Sequence, residues 1–371
     1  MRADTRRRDG RLRSRTGQFV EKAKGVQRAA GAAFTPAGAL CWILARVLLC
    51  LFATCWVSTF GGGPQDVVRF AVIGDSGTGK KPQYRIARQM LAWHDRLPFD
   101  LTLMLGDNIY GGLFGLGGGE RKDFAKKFDK PYAALLKRGV VFRAALGNHD
   151  LEHHHGRDLV AAYDRFHIED PRGYYRFTAG VVRKGTGVLG GEVAAAEPAP
   201  LVEFLVLNTV RLKKGDADQL VWLKKSLQRS RARWRIAYGH HPLYSTGRRH
   251  GADLRLRKQL EPLLSGQEQQ KGLQRVQVVL AGHDHIYERF QPRKKVVFFV
   301  CGSSGKLARK DARPSRALAA SEDRRRVFML WEAGPEQLRF WAINEYGQAF
   351  DCGTIGTEGE VESGPCPPNP Q

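Results

Sequence analysis

Five short apolar runs in this chain end in glycine, and each is followed at once by side chains that bind metals or transfer protons. A short apolar run bounded by a turn residue is typical of a strand buried on both faces. The carboxyl ends of parallel strands meet at one edge of a sheet, where α/β proteins form their sites. One Gly-Asp after a strand is usually a turn, but five such events indicate a shared site. The polar residues are Asp75, Asp107, Tyr110, Asn148, His149, Asp150, His240, His241, His283 and His285.

From Val67 onwards, the apolar runs alternate with amphipathic segments. Six runs predict buried strands: VVRFAVIG, FDLTLMLG, GVVFRAALG, VEFLVLN, RWRIAYG and VQVVLAG. Two segments between strands, PQYRIARQMLAWHD and ADQLVWLKKSLQRS, have the apolar spacing of helices. This alternation predicts an α/β fold. A length of 371 residues, 42% hydrophobic and 26% charged, suits one large globular domain with appendages.

The last third of the chain has a different pattern, because apolar runs follow one another with few helices between them. The runs KKVVFFVCG, RRVFMLWEAG, QLRFWAINEYG and AFDCGTI predict antiparallel strands that complete a second sheet. Residues 178–200 are rich in Gly and Ala and predict an inserted loop. The end of the chain predicts a frayed tail. We expect a catalytic domain over residues 67–355 and a Gly/Pro-rich tail over residues 356–371.

The chain begins with a basic, Arg-rich tail over residues 1–36, followed by an almost wholly apolar segment over residues 37–60 that Arg46 interrupts. This order predicts a signal peptide or a signal-anchor helix, with residues 61–66 as a linker. The short apolar core favours a signal peptide, and the poor Ala-x-Ala match favours an anchor; a buried core helix is the alternative. Either favoured outcome places the next domain outside the cytoplasm, as a periplasmic, extracellular or membrane-anchored protein.

The formal net charge is +23, which suits nucleic acid, anionic lipid, small anionic substrates or simply a solvated basic surface. Six cysteines occur, without any CxxC spacing, and this excludes zinc-ribbon and thioredoxin-like proteins. Cys352 and Cys366 bracket the Gly/Pro-rich tail and can form a disulfide if the domain is exported. Cys301 would then be the odd one, and we expect it to pack in the core.

Seven of the polar residues offer the oxygen and nitrogen ligands that two adjacent metal ions require. A carboxylate is the natural bridge, because each of its oxygens can bind one ion. Imidazoles two residues apart on an extended loop can face different ions. A hydroxide of lowered pKa between two such ions can attack the phosphorus of a phosphate ester. The seven are Asp75, Asp107, Tyr110, Asn148, His240, His283 and His285.

The five blocks GDSG (74–77), GDNIY (106–110), GNHD (147–150), GHHP (239–242) and GHDH (282–285) resemble those of the calcineurin-like metallophosphoesterases. More narrowly, they resemble the purple acid phosphatases, closest to the small tartrate-resistant type. The wider superfamily usually has a metal-binding His where Gly77 stands here, and Tyr110 supplies a phenolate instead. The resemblance covers roughly residues 67–355. It implies a four-layer sandwich of two mixed β-sheets packed face to face and flanked by helices.

The resemblance also implies a role for each residue at a dinuclear centre. Asp75, Tyr110 and His285 would hold Fe(III). Asn148, His240 and His283 would hold Fe(II), Zn(II) or Mn(II), and Asp107 would bridge the two ions. His149 would touch the substrate or leaving group, with Asp150 orienting it. His250 would protonate the leaving group, although it lies one residue further from His240 than the family spacing predicts.

The implied activity is that of an acid phosphatase, which hydrolyses phosphomonoesters through a metal-bridged hydroxide. The substrate would be a small phosphate ester or a phosphoprotein. Alternatives of the same superfamily are a divalent-metal phosphodiesterase or nucleotide phosphohydrolase. A non-catalytic, membrane-anchored binding module on this scaffold is a further alternative. The natural ester, the second metal and the oligomeric state stay open.

Two other functional interpretations have less support in the sequence. Residues 74–80 match the P-loop pattern G-x-x-x-x-G-K, but Lys81 follows where a Ser or Thr must bind Mg²⁺. The positive net charge is compatible with a nucleic-acid-binding protein, but the sequence contains no aromatic-rich RNA motif or zinc finger. We therefore expect no nucleic-acid partner, and membrane contact only through residues 37–60.

Overall fold

Two seven-stranded mixed sheets form the protein, which is presented here as a computed structural model describing residues 67–111, 123–152, 164–182, 198–267 and 272–370. The strands of these residues are β1 (Val68–Ile73), β2 (Leu101–Leu105), β3 (Val141–Ala145), β4 (Tyr175–Val181), β5 (Pro200–Val206), β6 (Trp234–Gly239), β7 (Val278–Ala281), β8 (Tyr287–Phe290), β9 (Val297–Cys301), β10 (Leu318–Glu322), β11 (Val327–Ala333), β12 (Leu338–Asn344), β13 (Ala349–Ile355) and β14 (Val361–Ser363).

The helices lie mainly between the parallel strands. They are α1 (Lys81–Arg96), α2 (Lys130–Lys137), α3 (Asn148–Glu152), α4 (Thr209–Lys213), α5 (Ala217–Arg229) and α6 (Leu254–Leu264), and a π-helical turn (Ala125–Asp129) precedes α2. The side chain of Asp216 caps α5 by accepting from Gln219 N, and that of Asp253 caps α6 by accepting from Leu256 N. Both long helices predicted from the sequence, α1 and α5, are confirmed.

Each sheet combines parallel and antiparallel strands. The first has the order β14-β13-β12-β11-β1-β2-β3, with β1, β2 and β3 parallel to one another and the rest antiparallel. The second has the order β10-β8-β9-β7-β6-β5-β4, with β5, β6, β7 and β9 parallel. The carboxyl ends of seven parallel strands are therefore available for a site.

The two sheets pack face to face through aromatic side chains. The ring of Phe70 on β1 lies 5.2 Å from that of Phe204 on β5, and Phe299 on β9 lies 5.2 Å from Trp331 on β11. A second apolar cluster lies between the second sheet and helices α5 and α6, and α1 buries its apolar side chains against the first-sheet core. The structure thus has the four layers that the family resemblance implied.

Three details of the sequence prediction were wrong. The C-terminal runs do not form one sheet: β11, β12 and β13 extend the first sheet from the free edge of β1, whereas β9 joins the second sheet parallel to β7. The inserted loop cannot begin at residue 178, because β4 continues to Val181 and pairs with β5; residues 183–197 lie outside the described part. The predicted tail contains β14, which pairs with β13.

A disulfide joins Cys352 of β13 to Cys366, and their Cα atoms are 5.4 Å apart. Cys301 is a free, buried cysteine, as expected. The basic tail, the apolar segment over residues 37–60 and the linker lie outside the described residues. Among the helices that are described, none has the length and apolar character needed to cross a bilayer.

Candidate metal centre and active site

The predicted ligand residues all follow the carboxyl ends of parallel strands. Hydrogen bonds join the ends of the two sheets, from Ser304 N to Gly74 O at 3.2 Å and between His240 Nδ1 and Leu105 O at 2.9 Å. The seven residues therefore converge on one place between the sheets. Asp75 follows β1, Asp107 and Tyr110 follow β2, Asn148 follows β3, His240 follows β6, and His283 and His285 follow β7.

Asp75, Tyr110 and His285 form one half of the cluster. The Tyr110 hydroxyl donates to Asp75 Oδ1 at 2.8 Å and lies 3.3 Å from His285 Nε2. His285 Nε2 is 3.4 Å from the same Asp75 oxygen. The other Asp75 oxygen accepts from His283 N at 2.8 Å, which fixes the carboxylate plane. Three potential ligand atoms thus lie close enough together to bind one ion.

His240 is the centre of the other half. Its Nε2 atom lies 3.0 Å from Asn148 Oδ1, 3.1 Å from His283 Nδ1 and 3.4 Å from Asp107 Oδ1. Ligand atoms of Asp75, Asp107 and His240 all lie within 4.8 Å of one another, and these three residues are buried. The two halves are therefore adjacent, and the Asp107 carboxylate is next to both.

The hydrogen bonding of His240 is compatible with a metal ion in this donor set. His240 Nδ1 lies 2.9 Å from Leu105 O, and a carbonyl can only accept, so Nδ1 carries the proton of the neutral ring. The Nε2 atom then presents a lone pair toward oxygens of Asn148 and Asp107. Lone pairs that converge in a buried site need a proton or a metal ion between them, and a carbonyl bonded to the other ring nitrogen commonly fixes the tautomer of a metal-binding histidine.

The backbone is strained at three of the predicted ligands. Asp75, Asp107 and His283 have φ angles of 53°, 51° and 69°, in the left-handed region that non-glycine residues adopt rarely. Each such residue costs on the order of 1–3 kcal/mol and persists only where the surrounding contacts hold it. This strain turns each side chain sharply from its strand into the cluster.

Gly77 explains why the first block contributes one ligand rather than two. A Cβ atom at residue 77 would lie 1.7 Å from Asn108 O, so no side chain fits there. The Gly77 carbonyl instead accepts from Tyr110 N at 2.9 Å. The backbone contact that excludes a histidine at this position therefore also places the Tyr110 loop.

The charges of the cluster are tightly linked. Burial opposes ionisation of Asp75, but its hydrogen bond with His285 and the charge of His240 outweigh burial and lower the pKa. Burial would lower the pKa of His240, yet Asp107 and Asp75 raise it. Burial, followed by the charge of Asp75, raises the pKa of Tyr110 far above its usual value. A phenolate at this position therefore requires a nearby cation.

His149 and Asp150 have different environments. His149 N donates to Asp107 Oδ1 at 3.0 Å, and the His149 ring lies 4.8 Å from that of Tyr110 with its side chain 38% exposed. Asp150 is buried and accepts from Gly147 N, Asn108 N and Ile109 N at 2.8, 2.9 and 3.1 Å. Asp150 thus connects the loops that carry Asp107 and Asn148, and burial raises its pKa to about 7.

Two further imidazoles contact His283. The His250 ring is exposed and lies 4.2 Å from the His283 ring, so the extra residue in the spacing does not remove it from the site. The His241 ring, which had no predicted ligand or catalytic role, lies 4.4 Å from that of His283. The Thr209 hydroxyl contacts His241 Nδ1 at 2.9 Å, and burial, with the charge of His240, lowers the His241 pKa.

Lys306 is a second residue that sequence reasoning missed. Its Nζ atom lies 4.3 Å from the centre of the Tyr110 ring, and its backbone N donates to Asp75 O at 3.1 Å. The signal was the string GSSGK directly after β9, another Gly-bounded polar segment at the carboxyl end of a parallel strand.

Comparison with known proteins agrees with this geometry. The model of the calcineurin-like phosphoesterase family matches residues 68–287. Tartrate-resistant acid phosphatase type 5 of Sus scrofa is 26% identical over 265 residues, which cover 65% of this chain and 70% of that protein. Purple acid phosphatase 17 of Arabidopsis thaliana is 27% identical over 299 residues, which cover 72% and 80%.

Two solved structures have the same fold. Purple acid phosphatase PPD1 from yellow lupin (Lupinus luteus) seeds has a TM-score of 0.56 and 16% identity, covering 80% of this chain and 54% of that chain. GAP50, the anchor in the inner membrane complex of Plasmodium, has a TM-score of 0.64 and 17% identity, covering 78% and 89%. At these identities the likeness concerns the fold alone.

The sheet topology and the donor cluster define a metallophosphoesterase. The family match extends over more than half of the sequence, from β1 to the start of β8. The chain belongs to the calcineurin-like phosphoesterase family. This also removes the P-loop alternative, because the Asp75 side chain faces the cluster and four other blocks share its site.

Proposed function

We propose that the protein is an acid phosphatase that hydrolyses phosphomonoesters at a dinuclear Fe(III)–M(II) centre. The observation that carries the proposal is the buried Nε2 atom of His240, which lies 3.0 Å from Asn148 Oδ1 and 3.4 Å from Asp107 Oδ1. Acid phosphatases among the relatives support the same reaction class. The substrate class follows from that likeness: a small phosphate ester or an exposed phosphoryl group of a protein.

The donor set divides into a harder and a softer half. The carboxylate of Asp75 and the phenol of Tyr110 suit Fe(III), with His285 as the third ligand. Asn148, His240 and His283 suit Fe(II), Zn(II) or Mn(II), and Asp107 would bridge. Two ions held there would supply charge neutralisation at the phosphoryl oxygens and an attacking water of lowered pKa.

The remaining residues bind, orient and transfer protons. His149 N holds Asp107 Oδ1, and the partly exposed His149 ring can donate a hydrogen bond to a phosphoryl oxygen. His250 is exposed beside His283, where its ring can give a proton to the leaving alkoxide. Asp150 orients this machinery through the backbone N–H groups of Gly147, Asn108 and Ile109 rather than by touching the substrate.

The test is to purify the full chain, measure metal content and the visible spectrum, and assay p-nitrophenyl phosphate across pH for wild type and Tyr110→Phe. We expect two metal ions per chain, a broad visible band that Tyr110→Phe abolishes, and an acid optimum. The matched control is Tyr174→Phe. Tyr174 is buried, and its hydroxyl has no hydrogen-bond partner among the described residues, so its loss should leave band and activity unchanged.

Other outcomes separate the alternatives. A colourless protein active near neutral pH with added Mn or Zn would keep the phosphoesterase and exclude Fe(III) with tyrosinate. A protein that stays metal-free and inactive after reconstitution would indicate a non-catalytic binding module. The complete set of donor residues argues against a non-catalytic module, because a site that is no longer catalytic loses its ligand residues first.

We also propose that the catalytic domain over residues 67–355, together with its disulfide-linked extension, is exported or held outside the cytoplasm by residues 37–60. The Cys352–Cys366 pair supports this proposal, because disulfides persist in oxidising compartments. Fractionation of cells that express the full chain, followed by protease protection, tests it. Protection of the domain inside the cytoplasm would contradict the proposal.

A further inference from the structure

Two segments beside the metal centre carry a concentration of positive charge that the phosphatase mechanism does not use. We call residues 246–251 and 306–316 together the cationic rim. Apart from Lys306, which is half-buried, all of its cationic side chains are exposed. They are Arg248, Arg249, Lys306, Arg309, Lys310, Arg313 and Arg316.

Backbone hydrogen bonds fix the two segments of the cationic rim to each other. Arg248 N donates to Asp311 O at 2.9 Å, and Arg313 N donates to Thr246 O at 3.2 Å. Between them, Gly247 and Ala312 form an antiparallel β-bridge. The relative position of the cations is therefore set by the fold rather than by flexible loops.

The rim is also bonded to the segments that carry the predicted ligands. Ala308 N donates to His285 O at 2.9 Å, and Lys306 N donates to Asp75 O. On the other segment, Gly251 N donates to the Asp284 carboxylate at 3.1 Å, between the two ligands of the GHDH block. The rim therefore borders the metal centre directly.

The cationic side chains of the rim have no carboxylate partner within the part of the chain that is described. There, none of the seven cationic side chains forms a salt bridge with a carboxylate. The rim's own acid, Asp311, is buried. The nearby Asp253 is engaged with Lys213 at 3.1 Å. Such a surface attracts a multiply charged anion.

We propose that the cationic rim binds a second phosphate group of the substrate, so that the enzyme selects small esters bearing two or more phosphates. The inference rests on the proposed phosphatase function. The two metal ions of the proposed centre would neutralise the scissile phosphate, which leaves the rim for a further anion. Arginine forks bind phosphate oxygens in pairs, and cations fixed by the backbone need little ordering on binding. Because the rim borders the metal centre directly, the second phosphate would belong to the same small molecule as the scissile phosphate.

The experiment compares fructose 1,6-bisphosphate with fructose 6-phosphate, using the full-length protein and phosphate release. The rim variant combines Arg248→Gln, Arg309→Gln and Arg313→Gln. We expect wild type to have the higher kcat/KM on the bisphosphate, and the rim variant to reduce the bisphosphate-to-monophosphate ratio at least tenfold. Raising the salt concentration should reduce the wild-type ratio as well, because the rim is exposed.

The matched control removes the same charge at the opposite end of the parallel strands. Lys225→Gln, Arg229→Gln and Arg231→Gln change exposed residues at the end of α5 and just before β6. This control variant should have the wild-type kcat/KM on both the bisphosphate and the monophosphate. A rim variant whose ratio equals that of the control would overturn the inference while leaving the phosphatase function intact.

A binding measurement keeps the inference testable even without turnover. Calorimetric titration with inorganic pyrophosphate and orthophosphate should give at least tenfold tighter binding of pyrophosphate to wild type, and the rim variant should lose this preference. Equal binding of pyrophosphate to the rim and control variants would reject the rim as a phosphate site. Absent turnover with an intact pyrophosphate preference would instead reject the phosphatase function.

Discussion

The ammonium group of Lys306 lies 4.3 Å above the Tyr110 ring, on a segment whose backbone is bonded to Asp75. A cation over an aromatic face is worth about 0.5–2 kcal/mol and favours the electron-rich form of the ring. Lys306 therefore lies over the ring whose phenol oxygen the first metal ion would bind.

From this contact we expect Lys306→Met to move the tyrosinate band to longer wavelength, because the phenolate electrons lose a stabilising charge. Lys306→Arg keeps the charge and should stay close to wild type. Visible absorption of both purified variants is the measurement. Identical band positions for wild type and Lys306→Met would show that Lys306 does not influence Tyr110.

Asp150 should be a major determinant of stability. Three backbone N–H groups and the Asn108 side chain donate to its buried carboxylate, so Asp150→Ala leaves four donors without their acceptor. We expect a loss of about 3–5 kcal/mol in the free energy of unfolding, together with weaker metal binding. Urea unfolding and metal analysis measure both.

The control for that substitution is Asp95→Ala, which removes an exposed salt-bridge partner of Arg138. Its cost should stay within about 1 kcal/mol, with metal content unchanged. If both variants lost the same small amount of stability, the loops carrying Asp107 and Asn148 would not depend on Asp150.

The positions of the ligand residues were predictable because local chemistry determines them. A short apolar run followed by Gly and a polar residue is a strand end, and Gly106 shows why: a Cβ there would lie 2.6 Å from His240 Nδ1. His241 and Lys306 also follow Gly-bounded strand ends, but the particular rings that they contact were not predictable from any local pattern. Each depends on which distant segments the fold brings to the same sheet edge.

The missed strands have a related explanation. In β8, the sequence YERF reads as exposed because of its charges, yet all four residues are buried. Arg289 pairs with the Asp351 carboxylate, and Glu288 accepts from Thr246, so both polar side chains have tertiary partners. The pairing of strands could not be predicted because it also depends on tertiary contacts. Nothing in the sequence of β11 indicates that this strand pairs with β1 rather than with β9.

The Cys352–Cys366 disulfide should stabilise the sheet edge formed by β13 and β14. The two cysteines are 14 residues apart, and closing a loop of this length contributes about 3 kcal/mol. We expect Cys352→Ala/Cys366→Ala to lower the unfolding free energy by about 2–4 kcal/mol without changing kcat of the folded enzyme. Dithiothreitol should destabilise wild type and leave the double variant unaffected; equal sensitivity to reductant would mean that the pair is not formed.

Glu288 gives the stability a defined pH dependence. The residue is buried, and burial raises its pKa from 4.5 to about 7, although hydrogen bonds from Thr246 act in the opposite direction. Between these values the folded state binds a proton that the unfolded state has released. Stability from this group is therefore fully present below about pH 4.5 and is lost as pH rises toward 7, by up to about 3 kcal/mol.

Glu288→Gln keeps the shape and an acceptor for Thr246 but cannot ionise. We expect it to remove that slope, so that the variant exceeds wild type in unfolding free energy at pH 7 but not at pH 4.5. Urea unfolding of chelator-treated protein at both pH values is the measurement, since metal ligands then titrate alike in both proteins. Glu336→Gln, at a side chain that is 87% exposed, should keep the wild-type slope. A Glu288→Gln slope equal to that of Glu336→Gln would show that Glu288 is ionised in the folded protein across this range.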